Sequence, residues 1–188
     1  MSKSALKILD TAEKLFNEQS FTGVGVDLIR DVSGCSKTTL YTYFKNKNEL
    51  IKQVLSVRDE RYRRSLMTYV DSHTSEEKIN GILKWHMEWF QSKTFKGCMF
   101  VRAVGESVKT QEEIIECARQ HKVWLRSYIY QACESFENHR IIADLIYHIL
   151  EGLISRFLVE DYDADVAEQA YINMNTMISS LESWKPRV

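Results

Sequence analysis

The chain has 188 residues, 44% of them hydrophobic, which is enough to bury a core and is inconsistent with a disordered tail. A single proline, Pro186, and seven glycines leave the interior open to long helices and argue against a turn-rich β protein. The net charge of −1 hides a polarity: residues 1–64 hold twelve Lys/Arg against eight Asp/Glu and the remainder thirteen against eighteen, so a basic head precedes an acidic body. That arrangement suits a polyanionic partner for the head.

Ile8, Ala12, Leu15 and Phe16 recur at helical spacing and predict a helix over 3–18. Phe21-Thr22-Gly23-Val24-Gly25 interrupts it. Val26–Ser33 reads as a short second helix with Ile29 and Val32 facing inward. Gly34 stands just past its end, where left-handed backbone is cheap only for glycine. Ser36 is a good N-cap for a third short helix, Lys37–Phe44. Asn46 caps the next helix, with Glu49 three residues on to close a capping box. This long helix runs from Lys47 to about Val70 and carries a basic stretch, Arg58, Arg61, Arg63 and Arg64. Two Thr/Glu boxes, Thr74–Glu77 and Thr110–Glu113, open helices of about 76–92 and 111–137. A short apolar helix, Gly97–Glu106, lies between them, and the last two helices run over about 140–159 and 165–183.

Several classes are excluded by what the sequence lacks. Cys35, Cys98, Cys117 and Cys133 form no Cys-x-x-Cys pair and have no histidine at ligand spacing, so neither a metal nor a cofactor is expected. There is no phosphate loop and no nucleophile motif, so the chain does not read as an enzyme. No apolar run is long enough to span a membrane, and the N-terminus lacks the apolar stretch of a signal peptide. A cytoplasmic protein with reduced thiols is expected.

Two short helices joined by Ser33-Gly34-Cys35-Ser36 and braced by a longer one have the proportions of a helix-turn-helix. In the second short helix Leu40 and Phe44 sit four apart and can anchor it to a core. Lys37, Thr38, Thr39, Tyr41, Thr42 and Tyr43 are left to meet phosphates and base edges. Lys37 and Lys47 both lie in the first turn of a helix, where a cation is disfavoured by about 0.3–1 kcal/mol. An external phosphate at those helix starts accounts for both placements.

Ser36-Lys37-Thr38-Thr39-Leu40-Tyr41-Thr42-Tyr43-Phe44-Lys45-Asn46-Lys47 followed by Glu49-Leu50 closely resembles the signature of TetR-type repressors. Ile8-x-x-Thr11-Ala12-x-x-Leu15-Phe16 and Ile29-x-x-Val32-x-Gly34 resemble the family's first two helices. The resemblance covers roughly residues 6–55. It implies an all-α fold with an N-terminal three-helix DNA-binding domain, 1–46, and a C-terminal helical bundle for ligand binding and dimerisation, 47–188, the long helix from Lys47 being shared. It also implies a homodimer on double-stranded operator DNA of two-fold symmetry. Lys37, Thr38, Thr39, Tyr41, Thr42 and Tyr43 would face DNA, and Lys47 would hold a phosphate. The family's usual threonines are replaced by Val24 and Gly25, and Thr22 is the nearest substitute for the missing capping and phosphate-binding hydroxyl.

Beyond residue 55 the residues speak alone. Trp85, Trp89, Phe90, Met99, Trp124 and Tyr128 either line a pocket for an apolar or aromatic effector or fill a core. Arg102 and Glu106 are an i, i+4 pair that either orients a polar ligand group or is a plain intrahelical ion pair. Ile142, Leu145, Ile149, Leu153 and Phe157 make the eighth helix apolar around much of its surface, and Ala170, Met174 and Ile178 stripe the ninth. Together they predict a dimer contact of two helices per chain. Two other readings stay open: a redox- or electrophile-sensing repressor acting through Cys98, which follows Lys93, Lys96 and Gly97, or a ligand-independent DNA-binding protein.

Overall fold

The computed structural model describes residues 2–70 and 75–183. Among these the chain is all-helical, with no strand. The elements are α1 (Lys3–Glu18), α2 (Val26–Ser33), α3 (Lys37–Tyr43), α4 (Lys47–Val70), α5 (Ser75–Phe90), α6 (Met99–Glu106), α7 (Glu112–Ala132), α8 (His139–Val159) and α9 (Ala164–Glu182).

Local chemistry sets most boundaries. The Ser2 side chain accepts from Ala5 N at 3.2 Å and starts α1. Gly34 ends α2 at φ 64°, in the left-handed conformation expected of it. Ser36 Oγ accepts from Thr39 N at 3.0 Å to start α3, and Asn46 Oδ1 accepts from Glu49 N at 2.9 Å at the start of α4.

The boxes do not close as expected. The Glu49 carboxylate turns forward to Lys52 (2.9 Å) and Gln53 (3.2 Å), because a lysine one turn on offers a charge that a backbone N–H does not. Glu113 likewise meets Lys52 of α4 at 3.0 Å, and Gln111, whose carbonyl accepts from Ile114 N and Ile115 N, stands where Thr110 was expected to cap. The Thr74 box lies outside the described residues. Helix α7 stops at Ala132, short of the expected 137: Cys133 N shares the carbonyls of Ile129 and Tyr130, and the buried Phe136 folds the following turn inward. Val32, expected to face inward, is 57% exposed, so α2 is anchored by Ile29 and leaves its other side to solvent.

The chain packs as two compact units that no single cut separates. The first comprises Met1–Tyr62 and Cys98–His121, the second Arg63–Gly97 and Lys122–Val188. Helices α4 and α7 each contribute residues to both. The first unit is built on Ile8, Ala12 and Phe16 of α1, Ile29, Leu40 and Leu50, with Met99, Phe100 and Ala103 of α6 in the same cluster. Each large side chain there is worth about 1.5–3 kcal/mol by burial. The second unit buries Ile82, Leu83 and Phe90 of α5 and Leu150, Leu153 and Phe157 of α8. Gly97, at φ 70°, admits Leu158 so closely that a Cβ would meet its Cδ2 at 2.7 Å.

Candidate nucleic-acid interface

Helix α3 is held by its two buried apolar residues, Leu40 (1% exposed) and the capping Phe44 (3%), which turn the rest of its surface outward. Lys37, Thr38, Tyr41, Thr42 and Tyr43 are exposed, and Thr39 is half-buried. The hydroxyls differ in readiness. Thr42 Oγ1 donates to Thr38 O at 2.8 Å and Thr39 Oγ1 shares a hydrogen bond of 2.8 Å with Ser36 Oγ. Lys37, Thr38, Tyr41 and Tyr43 therefore present the groups that need least rearrangement. In the turn, Ser33 Oγ donates to Arg30 O at 3.1 Å and receives Cys35 N at 3.4 Å, fixing the angle at which α3 leaves α2. Arg30 is clamped by Asp31 and Asp27, and its hydrogen bond to Asp31 raises its pKa above the ordinary arginine value.

Thr22 does not cap α2. The N-cap is Gly25, with no side-chain bond. Instead Thr22 N and Thr22 Oγ1 both donate to Glu106 Oε2, at 2.7 and 3.0 Å. Lys47 Nζ donates to Thr22 O at 3.4 Å. Burial lowers the Lys47 pKa below the ordinary lysine value, with the Glu106 charge opposing it.

Helix α6 grips α1 as well. Arg102 donates to Phe16 O at 2.9 Å and Asn17 O at 3.1 Å, placing a guanidinium on the terminal carbonyls of α1, where the helix dipole favours a cation. The Arg102–Glu106 separation within α6 is 4.0 Å, so both side chains spend their short contacts elsewhere. Glu13 of α1 receives both Arg58, at 2.8 Å, and Arg61. These grips were invisible to spacing rules, which see only neighbours three or four residues away. The resulting module is a basic, outward-facing short helix on a braced three-helix head.

Residues 8–54 match the model of the bacterial regulatory proteins of the tetR family. The N-terminal head is thus of the kind this family model describes. It is 30% identical over 108 residues to YhgD, an uncharacterised HTH-type transcriptional regulator of Bacillus subtilis, covering 52% of this chain and 56% of that protein. A TetR-family regulator from Streptomyces coelicolor has the same fold, with a TM-score of 0.89 at 18% identity over 97% of this chain and 91% of the other. The transcriptional regulator FadR of Bacillus subtilis, solved with stearoyl-CoA, superposes with a TM-score of 0.72 at 15% identity over 93% and 97%. The chain spans only a third to just over half the length of the curated relatives it matches.

The remaining expected site residues fall into different units. Met99 (1% exposed), Arg102 and Glu106 belong to the head's unit. Trp85, Trp89, Phe90, Trp124 and Tyr128 belong to the other. There Trp85 and Trp89 stack at 6.1 Å, and Phe90 continues the ring series to Phe157 at 5.3 Å. Trp124 stacks on Tyr128 at 5.1 Å with the Arg63 guanidinium 4.8 Å from its ring. Of the expected partner-facing residues, Ile142, Leu153, Phe157 and Met174 are buried within the chain itself. Leu145, Ile149, Ala170 and Ile178 are half-buried. Cys98, just before α6, and Cys35 are half-buried free thiols. No described helix is long and apolar enough to cross a membrane.

Proposed function

We propose that this DNA-binding transcriptional regulator is a homodimeric repressor in the cytoplasm whose affinity for double-stranded operator DNA is set by a small hydrophobic or aromatic effector, and that it is not an enzyme. The observation that carries the DNA reading is the outward surface of α3, with Lys37, Thr38, Tyr41 and Tyr43 exposed around two buried anchors. Lys37 and Lys47 serve phosphates, the α3 hydroxyls and phenols serve base edges, and Thr22 supports the phosphate site through its Glu106 contact. The effector reading draws on the ring series of the second unit, where Trp85 and Trp89 stay half-buried and Trp124 and Tyr128 stack beside Arg63. The stearoyl-CoA carried by the FadR structure supports an apolar effector.

Sequencing the DNA that the protein enriches from its own genome tests the reading. A palindromic site bound at least a hundredfold more tightly than random duplex is expected; equal binding to both would overturn it. The partner surface is tested at Ile149, since Leu153 serves the chain's own core. Ile149→Arg should yield folded monomers in sedimentation, and an intact dimer would move the interface elsewhere.

A second reading has its own support. Cys98 opens α6, the helix whose Arg102 and Glu106 hold α1 and the α1–α2 turn. An electrophile-sensing repressor would lose operator affinity on Cys98 modification, and Cys98→Ser would abolish that response.

A further inference from the structure

We propose that the head itself holds a second ligand site, a cavity for a small single-ring carboxylate whose anion takes Lys47 Nζ, so that ligand and DNA phosphate compete for the same ammonium. The competition rests on the reading of Lys47 as a phosphate contact; the site does not.

The cavity has a volume of about 260 Å³ and lies wholly within the first unit. Its apolar lining comes from Phe21, Ile51, Ala103 and Ile114, each no more than 4% exposed and each from a different element. Lys47 and Glu106 stand on the same lining. Apolar walls with a few converging polar groups are the general character of small-molecule sites, and this volume falls just below their usual range of roughly 300–1,000 Å³, which favours one ring over a larger body.

The two charged groups are not equally committed. Glu106 Oε2 already receives Thr22 N and Thr22 Oγ1, and Arg102 Nε lies 4.0 Å from its other oxygen. The Lys47 ammonium carries three donors, and the hydrogen bond described for it is a long one, 3.4 Å to Thr22 O. Among the described residues it forms no ion pair within 4.0 Å. On the lining the charged side chains are Lys47 and Glu106, and Arg102, outside it on the α1 carbonyls, adds a second cation nearby. Nearby, Gln111 Nε2 is tied to Asn48 Oδ1 at 2.8 Å and Gln111 Oε1 receives Val108 N at 2.9 Å, which holds that side chain in place on the lining.

The chemistry required is thus an anionic head on a flat apolar body: the anion replaces the weak Thr22 carbonyl contact, and the ring meets the apolar walls. A carboxylate in place withdraws Lys47 from any phosphate outside, and linkage makes the effect mutual. Burial that lowers the Lys47 pKa also raises the value of a partner anion to that group.

The test uses the full chain labelled with nitrogen-15. Sodium benzoate, sodium acetate and benzylamine hydrochloride are titrated separately at constant ionic strength. Benzoate is expected to shift the amides of Thr22, Lys47, Asn48 and Val108, with acetate at least tenfold weaker and benzylamine inactive. Lys47→Gln should weaken benzoate about tenfold while Lys47→Arg retains it, spectra elsewhere staying native. No shifts at these amides, equal binding of acetate, or full benzoate affinity in Lys47→Gln would overturn the site. Should Lys47→Gln not fold, the wild-type shift map and the acetate comparison decide. Duplex binding is then measured with and without benzoate. A lowered apparent duplex affinity supports the competition. An unchanged affinity overturns the competition alone, and absence of duplex binding without benzoate overturns it together with the DNA reading, the amide shifts judging the site independently of both.

Discussion

The two units are held together by different means. In the head, charged groups reach between helices: Glu13 takes Arg58 and Arg61, Arg102 holds the end of α1, Glu106 holds Thr22, and His121 Nδ1 lies 2.8 Å from Asp59 while its ring stacks on Phe100 at 3.7 Å. In the second unit rings and aliphatic side chains dominate, with Trp89, Phe90, Phe95, Phe157 and Tyr162 in series. Its directional contacts include Lys122–Glu151 at 2.7 Å, Tyr69 donating to Glu88 at 2.6 Å and Tyr171 donating to Asn80 at 3.0 Å. Charged groups fix helix angles by direction, whereas apolar helix faces fix theirs by interdigitation. Units that are both helical can thus be fixed by different kinds of contact.

The largest expected effect removes a ring from each core. Phe16→Ala in the head and Phe157→Ala in the second unit should each cost about 3–5 kcal/mol in urea unfolding. A loss below about 1 kcal/mol at either would show that the unit does not depend on that packing. The next effect separates the units by salt. Glu13→Gln leaves Arg58 in place without its anion, at a side-chain exposure of only 19%, and should cost about 1.5–3 kcal/mol. Raising salt to 1 M should shrink that cost, because screening weakens the charged contact, and should leave the cost of Phe157→Ala unchanged. The opposite pattern would dissolve the contrast between the units.

A smaller effect concerns the proposed DNA contact. If Lys47 holds a phosphate as proposed, Lys47→Ala should flatten the dependence of log duplex affinity on log salt by about 0.9. An unaltered slope would remove Lys47 from the contact set. The smallest effect is chemical. Burial pushes the Cys133 thiol up to about 12, so below pH 9 it stays protonated in the fold. The stability it contributes is fully present below its ordinary pKa and is lost as pH rises from there toward 12. Maleimide should therefore label Cys35, Cys98 and Cys117, all half-buried, well before Cys133 at pH 8. Early labelling of Cys133 would mean that the second unit opens more readily than its packing implies.

What depends on near neighbours was legible in the order of residues. Helix content, the left-handed Gly34, the Ser36 and Asn46 caps and the anchors Leu40 and Phe44 all follow from groups within four residues of one another, and all stand in the structure. Which side of each long helix is used inside the chain followed from packing between distant segments, so that Leu153 and Phe157 are core while Leu145 and Ile149 keep surface. That packing also decided where the charges go. Arg102 and Glu106 lie four apart in sequence, yet their short contacts are with Phe16, Asn17 and Thr22, more than eighty residues away. The reason is one of competition: a half-buried charge takes the partner that best replaces its lost water, and a helix end or a backbone N–H brought near by folding outbids a neighbour one turn along at 4.0 Å.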